Sequence, residues 1–332
     1  MRPKEEILKR RLKKGEKEEK KGRSSWVILL GLFFLSSGLA AIFYLASVLP
    51  GFWQKLTSPR IIKPQREASS VSSITNEPTP TTFWSPFLGQ ELESLINSQD
   101  GRYGLYLFDI DKGEFLGVNY QGKFPAASLI KLPIVVTAYR EAERRQFDLE
   151  AEYRLKEEDK LVGNGSVYLQ PEGTTYTYRN LIKLAIEQSD NTASAVIAKA
   201  LGEEKIQATI DFLDLAGTSY SLHQTTPEDI GRLLVALHQE EILTSAHSQE
   251  LIGYLSWTIF NDQIPAVLPD SLVIAHKVGF DDQVLHDAAI IFADRGDFVL
   301  VIMSQGDSQD KAQTVLEEIT EMVWETVKNS KQ

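Results

Sequence analysis

The chain has no cysteine, only 3 methionines and only 5 histidines in 332 residues. Without cysteine there is no disulfide, no thiolate metal ligand and no thiol nucleophile, although a disulfide-free protein can stand on either side of a membrane. The histidines, His223, His238, His247, His276 and His286, never recur at H-x-x-x-H spacing. A zinc hydrolase built on a helical histidine pair therefore has little support. Charge is lacking in two ways: none occurs between Arg23 and Lys55, and the excess of positive charge is confined to the N-terminus. Residues 1–23 hold 11 Lys or Arg against 5 Glu, so with the whole chain at −11 the remainder carries −17. A folded part that acidic lacks the basic face that phosphate backbones require, which argues against nucleic acid as a partner.

The uncharged stretch, SSWVILLGLFFLSSGLAAIFYLASVLPGFWQ, is long and apolar. About 20 such residues span a bilayer, and Trp26 at one end with Phe52 and Trp53 at the other suit its two interfaces. The expected organisation is a basic cytoplasmic tail over 1–23 and a single transmembrane anchor over 24–53. The small residues at Ala46–Val48 leave signal cleavage open as an alternative. A Ser/Thr/Pro-rich linker over 54–85, including TSPRIIKPQREASSVSSITNEPTPTT, then lifts a domain spanning 86–330 off the outer face.

Within that domain RYGLYLFDI and FLGVNY, joined by DKGE, read as a hairpin. RNLIKLAIEQ, TASAVIAKALG, EKIQATIDFLDLAG and TPEDIGRLLVALHQ carry helical spacing, with Gly202 and Gly217 as stops and Thr226-Pro227 as a start. SLVIAHKVG, DAAIIFA and FVLVIMS read as strands, the last two linked by DRGD. A C-terminal helix follows, with Ala312, Val315, Leu316, Ile319, Met322, Val323 and Val327 on one face. Strands from both ends of the domain around a helical middle imply an α+β fold: one antiparallel sheet of five strands, flanked by helices, with an all-helical subdomain inserted.

Three short motifs carry chemistry. In AASLIKLPIVV, Ser128 and Lys131 are one helical turn apart after Pro125, among apolar neighbours that would desolvate the lysine. A neutral lysine can take a proton from serine, but the pair also fits a helix start with a snorkelling lysine. S-x-x-K arises by chance about once in 300 residues. A second copy, Ser308 to Lys311 in SQDK, looks like a helix cap. QSDNTA, with Ser189, Asp190 and Asn191, sits at a helix-to-helix corner where Asp190 or Asn191 fits an N-cap. HKVGF puts Lys277 and Gly279 at the end of a strand, where a solvated lysine and a turn glycine are the plain alternative.

The order S-x-x-K, S-D-N, K-x-G on those elements resembles the motif set of class A β-lactamases and penicillin-binding proteins. SVYLQPEGTTYTYRNLIKLAIEQSDNTA, TTPEDIGRLL, FNDQIPAVLP before AHKVG, and LHDAAIIF extend the resemblance across the domain. It implies an acylated nucleophile at Ser128, its base at Lys131 and proton delivery by Ser189. Asn191 would hold the substrate amide, with Lys277 and Gly279 completing the substrate site. The backbone N–H groups of Ser128 and Phe280 would form the oxyanion hole. Asp190 would shape the corner. The implied substrate is a β-lactam or a D-Ala-D-Ala-type peptide, with no metal or cofactor. Nothing in the sequence fixes an oligomeric state.

Two departures stand out. No E-x-x-L-N occurs between S-D-N and Thr226, where the interval is only LDLAGTSYSLHQTTPED, so the family's Ω-loop glutamate is missing. The nearest acids, Glu228 and Asp229, read as favourable charges at a helix start. Val278 replaces the hydroxyl residue of K-T-G, which implies weaker carboxylate recognition. The expected activity is that of a membrane-anchored, extracytoplasmic serine hydrolase of class A β-lactamase type, hydrolysing or being acylated by β-lactams through an acyl-Ser128. Two rivals share the fold: a DD-peptidase-like enzyme on wall peptides, slow to deacylate, and a non-catalytic wall-binding module.

Overall fold

Leu88, Leu92 and Ile96 recur every fourth residue in Pro86–Asn97 (α1), and that single stripe is buried. The helix opens the computed structural model, which describes residues 86–329. The basic tail, the anchor expected over 24–53 and the linker lie outside the described residues. Among those described, no helix is long and apolar enough to cross a membrane.

After α1 come β1 (Arg102–Asp109) and β2 (Glu114–Val118), the two strands of the expected hairpin. Gly113, at φ +71°, donates its N–H to Asp109 O to close the turn. Phe124–Pro125 (β3) leads to a 3₁₀ turn over Ala127–Ile130, which runs directly into α2 (Lys131–Glu143). Pro125 is thus a strand residue rather than part of a helix start. In the middle, β4 (Glu152–Arg154) pairs with β5 (Thr175–Thr177), followed by α3 (Tyr178–Glu187), α4 (Asn191–Leu201) and α5 (Glu203–Phe212). Next, β6 (Gln224–Thr225) returns to pair with β3, ahead of α6 (Pro227–His238) and α7 (Ser245–Ser256). The chain closes with β7 (Val273–Asp281), β8 (Val284–Phe292), β9 (Phe298–Gln305) and α8 (Gln309–Asn329).

Strands from both ends form one antiparallel sheet in the order β2-β1-β9-β8-β7, as the sequence pattern implied. One face is covered by α1 and α8, whose apolar stripes meet Leu105, Leu107, Leu300, Ile302 and Leu285 in a continuous core. The other face carries α6 and α7, so part of the helical middle belongs to the sheet layer. Register places Tyr106, Val301, Ala288 and Lys277 in one row on that second face. One reading of a helix signal needs adjustment, because α5 ends at Phe212 well before Gly217, and α7 was not anticipated. Gly217 lies against the Thr226 side chain, so its constraint is packing.

The tightest joint between helix and sheet is Gly231 in α6, where an added Cβ would overlap the buried ring of Tyr106 on β1. Alanine improves helix propensity by about 1 kcal/mol, but overpacking a closed core costs about 1–3 kcal/mol. Gly231→Ala is therefore expected to destabilise the protein in urea unfolding. A variant as stable as the parent would show that this contact yields.

Candidate active site

The three motifs meet where the 3₁₀ turn, the α3–α4 corner and strand β7 converge. Ala127 adopts φ +43°, a strained value for a residue with a Cβ, and this turns the chain so that Ser128 enters the 3₁₀ segment. Lys131, the first residue of α2, is 5% exposed. Its Nζ lies 3.2 Å from Ser128 Oγ and 3.2 Å from Ser189 Oγ, donates to Asn191 Oδ1 at 2.7 Å, and also donates to the Ser189 carbonyl. Pro133 sits in the first turn of α2, where a missing N–H is harmless.

Ser189 and Asn191 flank a corner that Asp190 holds shut. Ser189 has φ +52°, and the Asp190 carboxylate caps α4 by accepting from Ala193 N at 2.8 Å. Its other oxygen accepts from Ser166 N at 2.7 Å and Val167 N at 2.8 Å. The loop so tied carries Gly163 (φ +139°) and Gly165 (φ +101°), and a Cβ at either would overlap Asn191 or Asp190. Asp190 therefore shapes the corner, and the glycines let the loop lie against it. The sequence reading missed this support, although LVGNGS carries the two glycines that announce it.

Lys277 is fully buried within β7, so it is neither solvated nor at a strand end. It donates to Ser189 Oγ at 2.9 Å and to Val278 O at 3.0 Å. With Lys277 donating to one of its lone pairs and Lys131 Nζ 3.2 Å away, the Ser189 hydroxyl keeps its own hydrogen for another partner. Burial pushes Lys131 down to about 8, with the Asp190 charge opposing. Lys277 is held well below the ordinary lysine value by burial first and the Lys131 charge second, with Asp287 opposing.

Gly279 is the point of closest approach, since a Cβ there would come within 3.3 Å of Ser128 N. The Phe280 N–H faces the same space. On β8, Leu285 engages Ser304 Oγ of β9 with both its N–H and its carbonyl, so it offers nothing to its register partner Phe280. The backbone groups of Phe280 consequently point out from the free edge of the sheet. Val278 is a correction to the sequence reading. Its side chain is 1% exposed and packs in the core on the face opposite Lys277. It serves the core, and its replacement of a hydroxyl residue does not alter the Lys277 face.

Glu228 and Asp229 behave as helix-start charges. Thr226 caps α6, and Asp229 accepts from Thr218 Oγ1 at 2.7 Å while burial raises its carboxyl. In SQDK, Ser308 Oγ accepts from Lys311 N at 3.4 Å, and Lys311 pairs with Asp100 and Asp307. The second S-x-x-K is a cap.

A serine hydrogen-bonded to a buried lysine, on an α+β frame of this topology, defines an active-site serine hydrolase. The sequence profile of the Beta-lactamase enzyme family matches residues 87–327, and the chain belongs to that family. Its relatives include β-lactamase VEB-1 of Pseudomonas aeruginosa, 20% identical over 70% of this chain and 88% of that one. The extended-spectrum β-lactamase PER-1 of the same organism is 21% identical, covering 76% of this chain and 91% of its own. Among solved structures, PBP-A superposes with a TM-score of 0.71 at 25% identity, over 74% of this chain and 97% of that one. A PBP-A mutant in acyl-enzyme complex with penicillin G gives 0.68 at 26%, with the same coverage of both chains.

Asp190→Ala leaves three backbone N–H groups without their acceptor, each worth about 1–3 kcal/mol when buried. A loss of about 2–4 kcal/mol in chemical denaturation is expected. A loss below 1 kcal/mol would mean that the corner stands without its carboxylate.

Proposed function

We propose that this protein is a membrane-anchored, outward-facing penicillin-binding enzyme. β-Lactams and, physiologically, acyl-D-Ala-D-Ala-type wall peptides acylate Ser128, and the acyl group departs slowly. One observation carries the reading: the buried Lys131 joins Ser128, Ser189 and Asn191 in one hydrogen-bonded network, yet none of its hydrogen bonds runs to a carboxylate. Acylation has a base, whereas a deacylating water has no acid residue on that network to activate it. The likeness to PBP-A, one of whose mutants is described as a penicillin G acyl-enzyme, supports the same reading.

The chemistry follows from hydrogen count. Neutral Lys131 gives its two hydrogens to Asn191 Oδ1 and the Ser189 carbonyl, and its lone pair faces the Ser128 hydroxyl. Ser128 Oγ attacks the substrate carbonyl as its proton passes to Lys131. The developing oxyanion lies between the N–H groups of Ser128 and Phe280, a term of about 3 kcal/mol per donor. Collapse breaks the C–N bond, Ser189 donates its proton to the leaving nitrogen, and Lys131 passes the proton it took from Ser128 on to Ser189 Oγ, 3.2 Å away. Asn191 Nδ2 is available to the substrate's acyl side, and Lys277 supplies positive potential for a substrate carboxylate. Gly279 leaves room for the strand to run alongside the substrate.

The curated relatives are β-lactamases, which supports rapid turnover as a second reading. Incubating the full-length protein with a fluorescent penicillin separates the readings. A stable adduct, absent in Ser128→Ala, is expected. Release of the label within seconds would instead establish a β-lactamase, and no adduct with no turnover would favour a non-catalytic module.

The neutral form of Lys131 is the reactive one, and its value near 8 leaves about a tenth of it neutral at pH 7. Deprotonation grows as pH rises, so the acylation rate should climb about tenfold per unit below pH 8 and level off above it. A profile flat from pH 6 to 9 would remove Lys131 as the base.

A further inference from the structure

His286 is a fully buried titratable group that the chemistry above does not use. It projects from β8 on the Lys277 face, in a row formed across the sheet by Gly104, Met303, His286 and Gly279. Over that row runs the strap Phe124–Ser128, which delivers the nucleophile. The two end positions are glycine because the strap lies against them: a Cβ at Gly104 would come within 2.9 Å of the Phe124 ring, and one at Gly279 within 3.3 Å of Ser128 N. Within the row, His286 is the residue that grips the strap. Its Nε2 lies 2.8 Å from the carbonyl of Pro125, three residues before Ser128.

The ring's other nitrogen fixes the sense of that bond. Ser304 donates its backbone N–H to His286 Nδ1 at 3.1 Å, while Ser304 Oγ takes up both backbone groups of Leu285. Nδ1 is therefore an acceptor, the ring proton resides on Nε2, and Nε2–H donates to Pro125 O. Ser304 thus serves both strands: its hydroxyl occupies the backbone groups of Leu285, the register partner of Phe280, and its backbone orients the imidazole that holds Ser128's strap.

We propose that His286 is a positioning residue for acylation: its Nε2–H holds the Pro125 carbonyl and thereby sets the gap between the Ser128 and Phe280 N–H groups. Burial keeps the imidazole neutral by pushing it down to about 4, so the tautomer persists at neutral pH. The neighbouring residue Ala126 is tied separately, its N–H donating to His223 O at 2.7 Å on the β6 side. One side of the strap is thus held by the sheet and the other by the short loop, which leaves Ala127 to absorb the bend at φ +43°.

The inference rests on the acylation reading above, and two amide variants of the full-length protein test it. His286→Gln places an amide nitrogen near Nε2 and keeps the donor to Pro125, whereas His286→Asn reaches only as far as Nδ1 and loses it. Stopped-flow labelling with a fluorescent penicillin yields the binding constant before acylation and the limiting acylation rate. For His286→Asn the rate should fall by about tenfold or more, with binding within about twofold of the parent. His286→Gln should recover most of the rate. Equal rates in the two variants, a parental rate in His286→Asn, or a change confined to binding would overturn the proposal. If either variant does not melt cooperatively, limited strap mobility is read by hydrogen exchange at Ala126–Leu129 in the folded one: accelerated exchange in Asn, or parental exchange in Gln, supports the clamp, and the reverse removes it. Failure of the parent protein to label at all, or labelling that survives Ser128→Ala, would instead defeat the acylation reading itself.

Discussion

Two buried lysine amines share one serine hydroxyl, and among the described residues neither makes a hydrogen bond to a carboxylate. Everything else in the domain follows from keeping that arrangement in place. Burying a cation without an ion-pair partner is strongly unfavourable, and the molecule meets that cost by lowering the lysines' proton affinity and surrounding them with oxygen acceptors. Asp190 and Asp287 act from a distance, close enough to be felt by the lysines yet bound to other donors: Asp190 to three backbone N–H groups, Asp287 to Ile264 N and His276. A carboxylate in direct contact would keep Lys131 charged and remove the base. The frame must therefore hold three distant segments together without the strongest local attraction available.

That requirement explains the architecture. The sheet supplies Lys277 and the Phe280 N–H from a strand fixed by register, a rigid source compared with a loop. The α3–α4 corner supplies Ser189 and Asn191 from backbone that is strained at Ser189 and locked by the Asp190 cap. The Ser128 turn is strained at Ala127 and clamped on both sides. Positive φ at non-glycine residues immediately before or within two of the motifs marks where folding energy from the core is used to hold reactive geometry.

The five strands of the main sheet, the five helical segments with clear periodicity and the corner cap were legible because each depends on local patterning: alternation, three-and-four spacing, an Asp before a helix. The site residues were legible only through the joint order of three motifs, since S-x-x-K alone could not separate Ser128 from Ser308. What stayed hidden depends on long-range pairing. The two-residue ladder between β3 and β6 has no sequence signature, yet it places the strap. Val278 shows the same limit. In sequence it sits between two site residues and invites a site role, but strand alternation and the pairing of β7 with β8 send its side chain to the α1–α8 core. His286 was invisible for the converse reason: its partners, Pro125 and Ser304, lie at the far ends of the domain.

The missing acid and the strap are two aspects of one segment. In the family pattern, the interval between the S-D-N helix and the next threonines carries the glutamate that activates water. Here the interval is short and ends at His223, with φ +48°, whose carbonyl accepts from Ala126 N before β6 pairs with β3. The shortened loop is thus bound edge-on to the nucleophile's strap by backbone groups. The nucleophile's strap is thereby fixed from two sides, by the sheet through His286 and by this interval through His223.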